Sequence, residues 1–170
     1  MGRSENLHSR LPAQAGIYAL ILFCPRGEDL EVGALGRRRF PAGWYVYVGS
    51  AWGPGGLRGR LGRHLAAGGT LRWHIDFLRR AAALREIWCL PGAGAATEHR
   101  WADLLAQAPG ASVPVPRFGA GDCRCRAHLL AFAEKPSARR FAAGLGRRSA
   151  GGARLLAFRL RPGEELAKRS

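Results

Sequence analysis

The chain has 170 residues, 47% of them apolar, which is enough to bury a core within one domain and too many for wholesale disorder. Lys and Arg number 27 against 12 Asp and Glu, a formal charge of +15 spread through nearly every segment. Such an excess repels itself unless a polyanion relieves it, so nucleic acid is the leading partner class, whereas no run approaches the roughly 18 uncharged apolar residues of a membrane span.

In chain order, residues 1–15 are polar, lack a signal-peptide core and read as a loose leader, with 1–12 the flexible part. Gly16–Cys24 (GIYALILFC) is a continuous apolar, β-rich run, the pattern of a buried strand. PRGED (25–29) is turn chemistry, LEVGAL (30–35) a second short strand, and GRRRFPAG (36–43) a bend. GWYVYVGS (43–50) is a further strand in which Tyr45 and Tyr47 alternate with Val46 and Val48, so both phenols face one side. Short connections imply hairpins and an antiparallel sheet of at least three strands. SAWGPGG (50–56) is a flexible turn, and LRGRLGRHLAA (57–67) repeats leucine at 57, 61 and 65, one stripe of a helix.

The periodicity predicts a second helix over 71–85, with Trp73, Phe77, Leu78 and Ala81 on one face. EIWCLPG (86–92) is a short strand and turn. Residues 96–108 form a helix with Trp101, Leu104, Leu105 and Ala108 inward. Residues 113–127 are loop, 128–133 a strand, 136–146 a short helix, 147–154 a linker and 153–160 a last strand. The fold class is therefore α+β, a small mainly antiparallel sheet with helices packed on it, in a domain over 13–146 followed by a basic extension over 147–170.

Several side chains stand out for chemistry. Arg60 and His64 lie four apart and share a helix face at the edge of the leucine stripe, where a guanidinium can clamp a phosphate or simply snorkel. Glu98 borders an apolar stripe, so its carboxylate needs a partner, a metal ion, a proton or the helix dipole. Four cysteines in a chain this long make no disulfide framework, and a reducing cytoplasm is the expected compartment. Cys123-x-Cys125 with His128 offers three soft ligands, with Cys89, Cys24 or His74 as the fourth. That spacing is tighter than the usual zinc pattern, so zinc there is not expected and the segment reads as a structural turn. His74 and Asp76 lie two apart, do not face each other on a helix, and read as core plus surface.

Taken together, Gly16-Ile17-Tyr18, then Tyr47-Val48-Gly49, then Arg60 followed four residues on by His64, then Glu98, resemble the GIY-YIG nuclease superfamily. YVYVGSAWGPGGLRGRLGRHL, LRWHID and FGAGDCRCRAHL are similar to its DUF123-type subgroup, with the likeness running in order over roughly 13–133. LEVGAL would fill the long interval between the two triplets as an extra strand. The resemblance implies one-metal phosphodiester hydrolysis, plausible in DNA repair or recombination. Glu98 would hold Mg²⁺, Arg60 clamp a phosphate oxygen, Tyr18 act as general base and Tyr47 position water or phosphate. His64 would bind phosphate or orient a tyrosine, and nearby arginines and the metal would have to lower the Tyr18 phenol. Arg58, Arg63, Arg72, Arg79 and Arg80 would track a nucleic-acid backbone, with DNA favoured over RNA. The alternative is a basic module of the same fold that binds nucleic acid without cutting it. No membrane partner is expected, and the oligomeric state stays open.

Overall fold

The computed structural model describes residues 6–66, 69–145 and 154–161. Its frame is a five-stranded antiparallel sheet in the order β6-β4-β1-β5-β7, with β1 at Gly16–Cys24, β4 at Gly43–Ala51, β5 at Ala83–Pro91, β6 at Leu129–Phe132 and β7 at Leu156–Arg159. The central strand β1 is covered on both faces, which is why its sequence is apolar without alternation. Even-numbered Tyr18, Leu20 and Leu22 enter one core cluster, while Ile17, Ala19 and Ile21 enter the other. The result is the expected small α+β domain.

Onto the first face pack α1 (Leu7–Arg10), α2 (Gly56–Leu65) and α3 (His74–Leu78). Leu57, Leu61 and Leu65 are fully buried, as the leucine stripe predicts, each contributing about 1.5–3 kcal/mol of transfer free energy. Onto the second face pack α4 (Ala96–Ala106) and α5 (Ala138–Leu145) through Trp101, Leu105, Phe141 and Leu145 around Trp88. Among the described residues no helix is long and apolar enough to cross a membrane.

Several sequence readings change. The leader gives way over 7–11, where a helical turn buries Leu7 and Leu11, and Arg58 holds it through the Leu11 carbonyl at 2.8 Å and the Ser9 carbonyl at 3.4 Å. LEVGAL is not a strand of the sheet: β2 (Glu28–Glu31) pairs with β3 (Arg37–Phe40) in a separate hairpin, and Gly33–Leu35 is a 3₁₀ turn. The β3 residues Arg37, Arg38 and Arg39 gave no apolar signal because only Phe40 turns inward. The helix predicted over 71–85 shrinks to α3, because the chain from Ala83 onward pairs with β1, and tertiary pairing overrides local periodicity. The linker at 147–154 lies almost wholly outside the described residues.

Two glycines set how closely the strands carry their tyrosines. Tyr18 of β1 is opposite Gly49 of β4, and a Cβ at 49 would lie 2.6 Å from the Tyr18 ring carbon Cζ and from its hydroxyl. At Gly16 a Cβ would lie 2.4 Å from the Leu90 carbonyl oxygen. Any side chain at either place would part the ring or the strands. Gly49→Ala is expected to destabilise the fold by about 1–3 kcal/mol in urea denaturation, by displacing the Tyr18 ring. Gly53→Ala, where a Cβ meets nothing within 4 Å, is expected to change stability by no more than about 0.5 kcal/mol.

Candidate active site and metal centre

Where β1 begins and β4 ends, the sheet opens into a cleft of about 590 Å³. Tyr18, Tyr47, Arg60 and Glu98 all line it, although they come from β1, β4, α2 and α4. The alternation of Tyr45 and Tyr47 with valine puts Tyr47 on the same face as Tyr18, and α4 brings Glu98 to the cleft in its first turn. His64 does not line the cleft. It lies behind Tyr18, buried, with Nε2 2.9 Å from the phenol oxygen.

Burial lowers the His64 imidazole to about 3, with Arg63, Arg79 and Arg60 opposing its protonation and Asp76 favouring it. His64 is therefore neutral, and in its Nδ1–H tautomer the Tyr18 hydroxyl donates to Nε2, leaving the phenol lone pairs free toward the cleft. The Tyr18 phenol itself is raised well above its ordinary value, first by burial and then by Tyr47, with Arg60 pulling the other way. Tyr47 is raised too, by burial and then by Glu98. The lowering expected from the arginines comes from Arg60 and is outweighed by desolvation.

Arg60 stacks over the Trp73 ring at 4.2 Å, and Arg63 lies 4.0 Å from the centroid of the same ring. Asp76 fixes this arrangement. It accepts from Arg63 at 3.0 and 2.9 Å and from the backbone N–H groups of Arg72 and Trp73 at 2.8 and 2.9 Å. Burial alone would raise the Asp76 carboxyl, but these donors hold it below its usual value. Thus Asp76 is the anchor of the guanidinium wall rather than a surface residue.

Of the five arginines expected to track a backbone, Arg72 lines the cleft. Arg58 is spent on α1, Arg63 on Asp76 and the Thr70 carbonyl, and Arg79 on the Ala82 and His64 carbonyls. Arg80 is exposed on the turn after α3. Sequence reasoning missed Trp52, 49% exposed at the cleft, and the lining residues Ser50 and Asp122. Trp52 carried a signal, a tryptophan inside a Gly/Pro turn where no core needs it.

Beside Glu98 sits a second constellation. His99, Cys123, Cys125 and His128 place one ligand atom each within 4.8 Å of one another. This overturns the expectation of no zinc at Cys123, Cys125 and His128, since two thiols and two imidazoles are a typical zinc donor set. The fourth candidate ligand beside them is His99 of α4, not Cys24, Cys89 or His74. Cys24 bonds the Arg26 carbonyl, Cys89 is buried in the sheet core, and His74 accepts from the Gly119 N–H at 3.0 Å. Burial, then the hydrogen bond and charge of Cys123, push the Cys125 thiol up to about 11, so paired thiolates here need a compensating cation.

The two constellations share an edge. His128 Nδ1 lies 3.2 Å from Glu98 Oε1, within ion-pair reach but not aligned as a hydrogen bond. Burial would raise the Glu98 carboxyl, yet His128 and the Ser50 hydroxyl hold it below its usual value, so it is ionised at neutral pH.

The fold and site thus define a small α+β domain with an antiparallel sheet, a cleft of two phenols, a guanidinium and a carboxylate, and a His/Cys/Cys/His cluster able to hold a metal ion. The chain belongs to the family described as Domain of unknown function DUF123, which matches residues 17–149. Neither the curated proteins nor the solved structures gave a match to it.

The buried neutral His64 makes stability depend on pH. An unfolded imidazole protonates near 6.5 and the folded one near about 3, so the unfolded chain binds the extra proton between those values. The stability gained from a neutral His64 is complete above pH 6.5 and lost as pH falls toward 3. Denaturant unfolding is expected to weaken by a few kcal/mol between about pH 7 and pH 4, and His64→Gln to flatten most of that slope. His74, also lowered by burial, contributes a residual slope of the same sign.

Proposed function

We propose that this chain is a GIY-YIG-type hydrolase of nucleic-acid phosphodiesters, with DNA as the favoured substrate and repair or recombination as its setting. The observation that carries the reading is the meeting of Tyr18, Tyr47, Arg60 and Glu98 in one cleft, from four separate elements. The adjacent antiparallel pairing of the two tyrosine-bearing strands agrees with the same reading.

Arg60, stiffened on Trp73, would clamp a non-bridging phosphate oxygen and stabilise the charge that builds as the water oxygen bonds to phosphorus and the ester oxygen leaves, the water giving its proton to solvent and the departing oxygen taking one from it. Tyr18, with its proton committed to His64, would accept a hydrogen bond from the attacking water and aim it. Its raised phenol argues for orientation rather than outright deprotonation of the tyrosine. Tyr47 would border the same phosphate. Glu98, with Asp122 on the same lining, is the carboxylate that would hold a divalent cation, whose chemistry there is to stabilise charge on the phosphate and the departing oxygen. Arg72 would contact the flanking backbone, and exposed Trp52 offers a face on which a base could stack, worth about 1–3 kcal/mol.

A second reading is a module of this fold that binds nucleic acid without cutting. Two observations favour it: both phenols are raised, and Glu98 is already engaged by His128 and Ser50. The two readings part in an assay on supercoiled plasmid and on branched and single-stranded DNA with added Mn²⁺. Hydrolysis is expected, reduced on the order of a hundredfold or more in Tyr18→Phe, Arg60→Ala and Glu98→Gln. Tight, salt-sensitive binding with no cleavage of any of these substrates would establish the module instead.

A further inference from the structure

We propose that His99, Cys123, Cys125 and His128 hold one zinc ion in a closed structural site that fastens the 113–128 loop to the first turn of α4 and fixes the position of Glu98. The zinc site itself stands apart from the hydrolase reading; only its consequence for cutting rests on that reading.

The geometry is that of a site rather than of scattered soft ligands. In a tetrahedral zinc site, with Zn–S near 2.3 Å and Zn–N near 2.0–2.1 Å, a sulfur and a nitrogen ligand lie roughly 3.5 Å apart. Cys123 Sγ lies 3.4 Å from His128 Nε2, and His99 Nδ1 lies 3.2 Å from Cys125 Sγ. Each thiol thus has its own imidazole at nearly the separation a shared ion imposes. These contacts also name the coordinating nitrogens, Nδ1 of His99 and Nε2 of His128.

The loop is built to present its sulfurs. Arg117, in the left-handed region at φ 65°, donates to the carbonyls of Cys123 at 2.7 Å and Cys125 at 3.0 Å. The loop is pinned at its end, where the His128 N–H bonds the Phe118 carbonyl at 2.8 Å and the Val48 N–H bonds the His128 carbonyl at 2.9 Å. The Cys-x-Cys turn is therefore held in shape before any ion enters.

With four protein ligands no coordination position is left for water, so this ion would organise the site rather than react. His128 Nδ1, on the far side of the ring from the sulfur, faces Glu98 Oε1 at 3.2 Å and has no hydrogen-bond partner among the described residues. A carboxylate behind a zinc-bound imidazole sets the ring's tautomer and is itself set in return. The same loop passes Tyr47 at Gly119, where a Cβ would lie 2.8 Å from the tyrosine ring. One ion would thereby steady both the acid and one phenol of the cleft.

Zinc content of the full chain and a cobalt-substituted spectrum test this without nucleic acid. The expected result is about one zinc per chain, and with Co²⁺ the intense visible bands of a tetrahedral thiolate site. Cys123→Ser, Cys125→Ser and His99→Ala are each expected to lower retained zinc at least fivefold on dialysis against a mild chelator, and Cys24→Ser to leave it unchanged. Should the cysteine variants fail to fold, His99→Ala on the helix decides. Glu98→Gln is expected to keep the stoichiometry but weaken zinc affinity on the order of tenfold in competition with a chromophoric chelator. A folded wild-type chain without zinc, retention of zinc in the ligand variants, an unchanged affinity in Glu98→Gln, or a weak six-coordinate cobalt spectrum would overturn the proposal. A chain that holds zinc and cuts nothing keeps this inference and loses the hydrolase reading; one that cuts while holding no zinc does the reverse.

Discussion

The site depends on one close approach, the ring of Tyr18 laid across the backbone of Gly49. It is possible only because β1 and β4 pair in the register that sets a tyrosine opposite a glycine. A slip of one residue would send every inward side chain of β4 to the opposite face and separate Tyr18 from Tyr47. The register in turn is specified by burial on both faces of β1, where an error would expose apolar surface on one side and strand a phenol in the core on the other. Packing energy thus sets the position of polar groups, and His64, forced neutral in the same core, completes the restraint through its 2.9 Å hydrogen bond with the phenol.

Charge is organised with similar economy. A net +15 would ordinarily scatter arginines over the surface, but several are committed to protein groups. Asp76 is the pivot. By accepting from Arg63 and two backbone N–H groups it fixes Trp73, and Trp73 carries Arg60 on its face. A guanidinium stacked in this way loses less side-chain entropy on meeting an anion than one reaching freely into water. The Glu98 carboxylate lines the same cleft as Arg60 and also borders the His/Cys/Cys/His cluster able to hold a metal ion, so an acid and a guanidinium share one cavity.

Much of this was legible in the sequence where a single local rule governed. The unbroken apolar run of β1, the tyrosine alternation of β4, the leucine stripe of α2 and the start and stop signals of α5 all correspond to elements at nearly the stated positions. Glu98 was readable as a carboxylate in need of a partner, and Tyr18, Tyr47 and Arg60 as groups worth bringing together. What escaped was decided by long-range pairing. The segment 71–85 has helical periodicity, yet from Ala83 onward the chain is claimed by β1. The arginine-rich β3 pairs only with β2 and has no buried face to announce it beyond Phe40. His99 sits on a helix whose register was read for its apolar stripe, so it was never paired with cysteines more than twenty residues later. The Cys-x-Cys spacing misled for the same reason, because a tight pair of thiols becomes half of a site once another element supplies the rest.

The most direct test of the central claim is a crystal structure of the Glu98→Gln protein with a short single-stranded oligonucleotide. The account expects one phosphate against the Arg60 guanidinium, between the Tyr18 hydroxyl and residue 98, with a neighbouring base near Trp52. An oligonucleotide lying along the exposed arginines of β3, with the cleft free of phosphate, would contradict it.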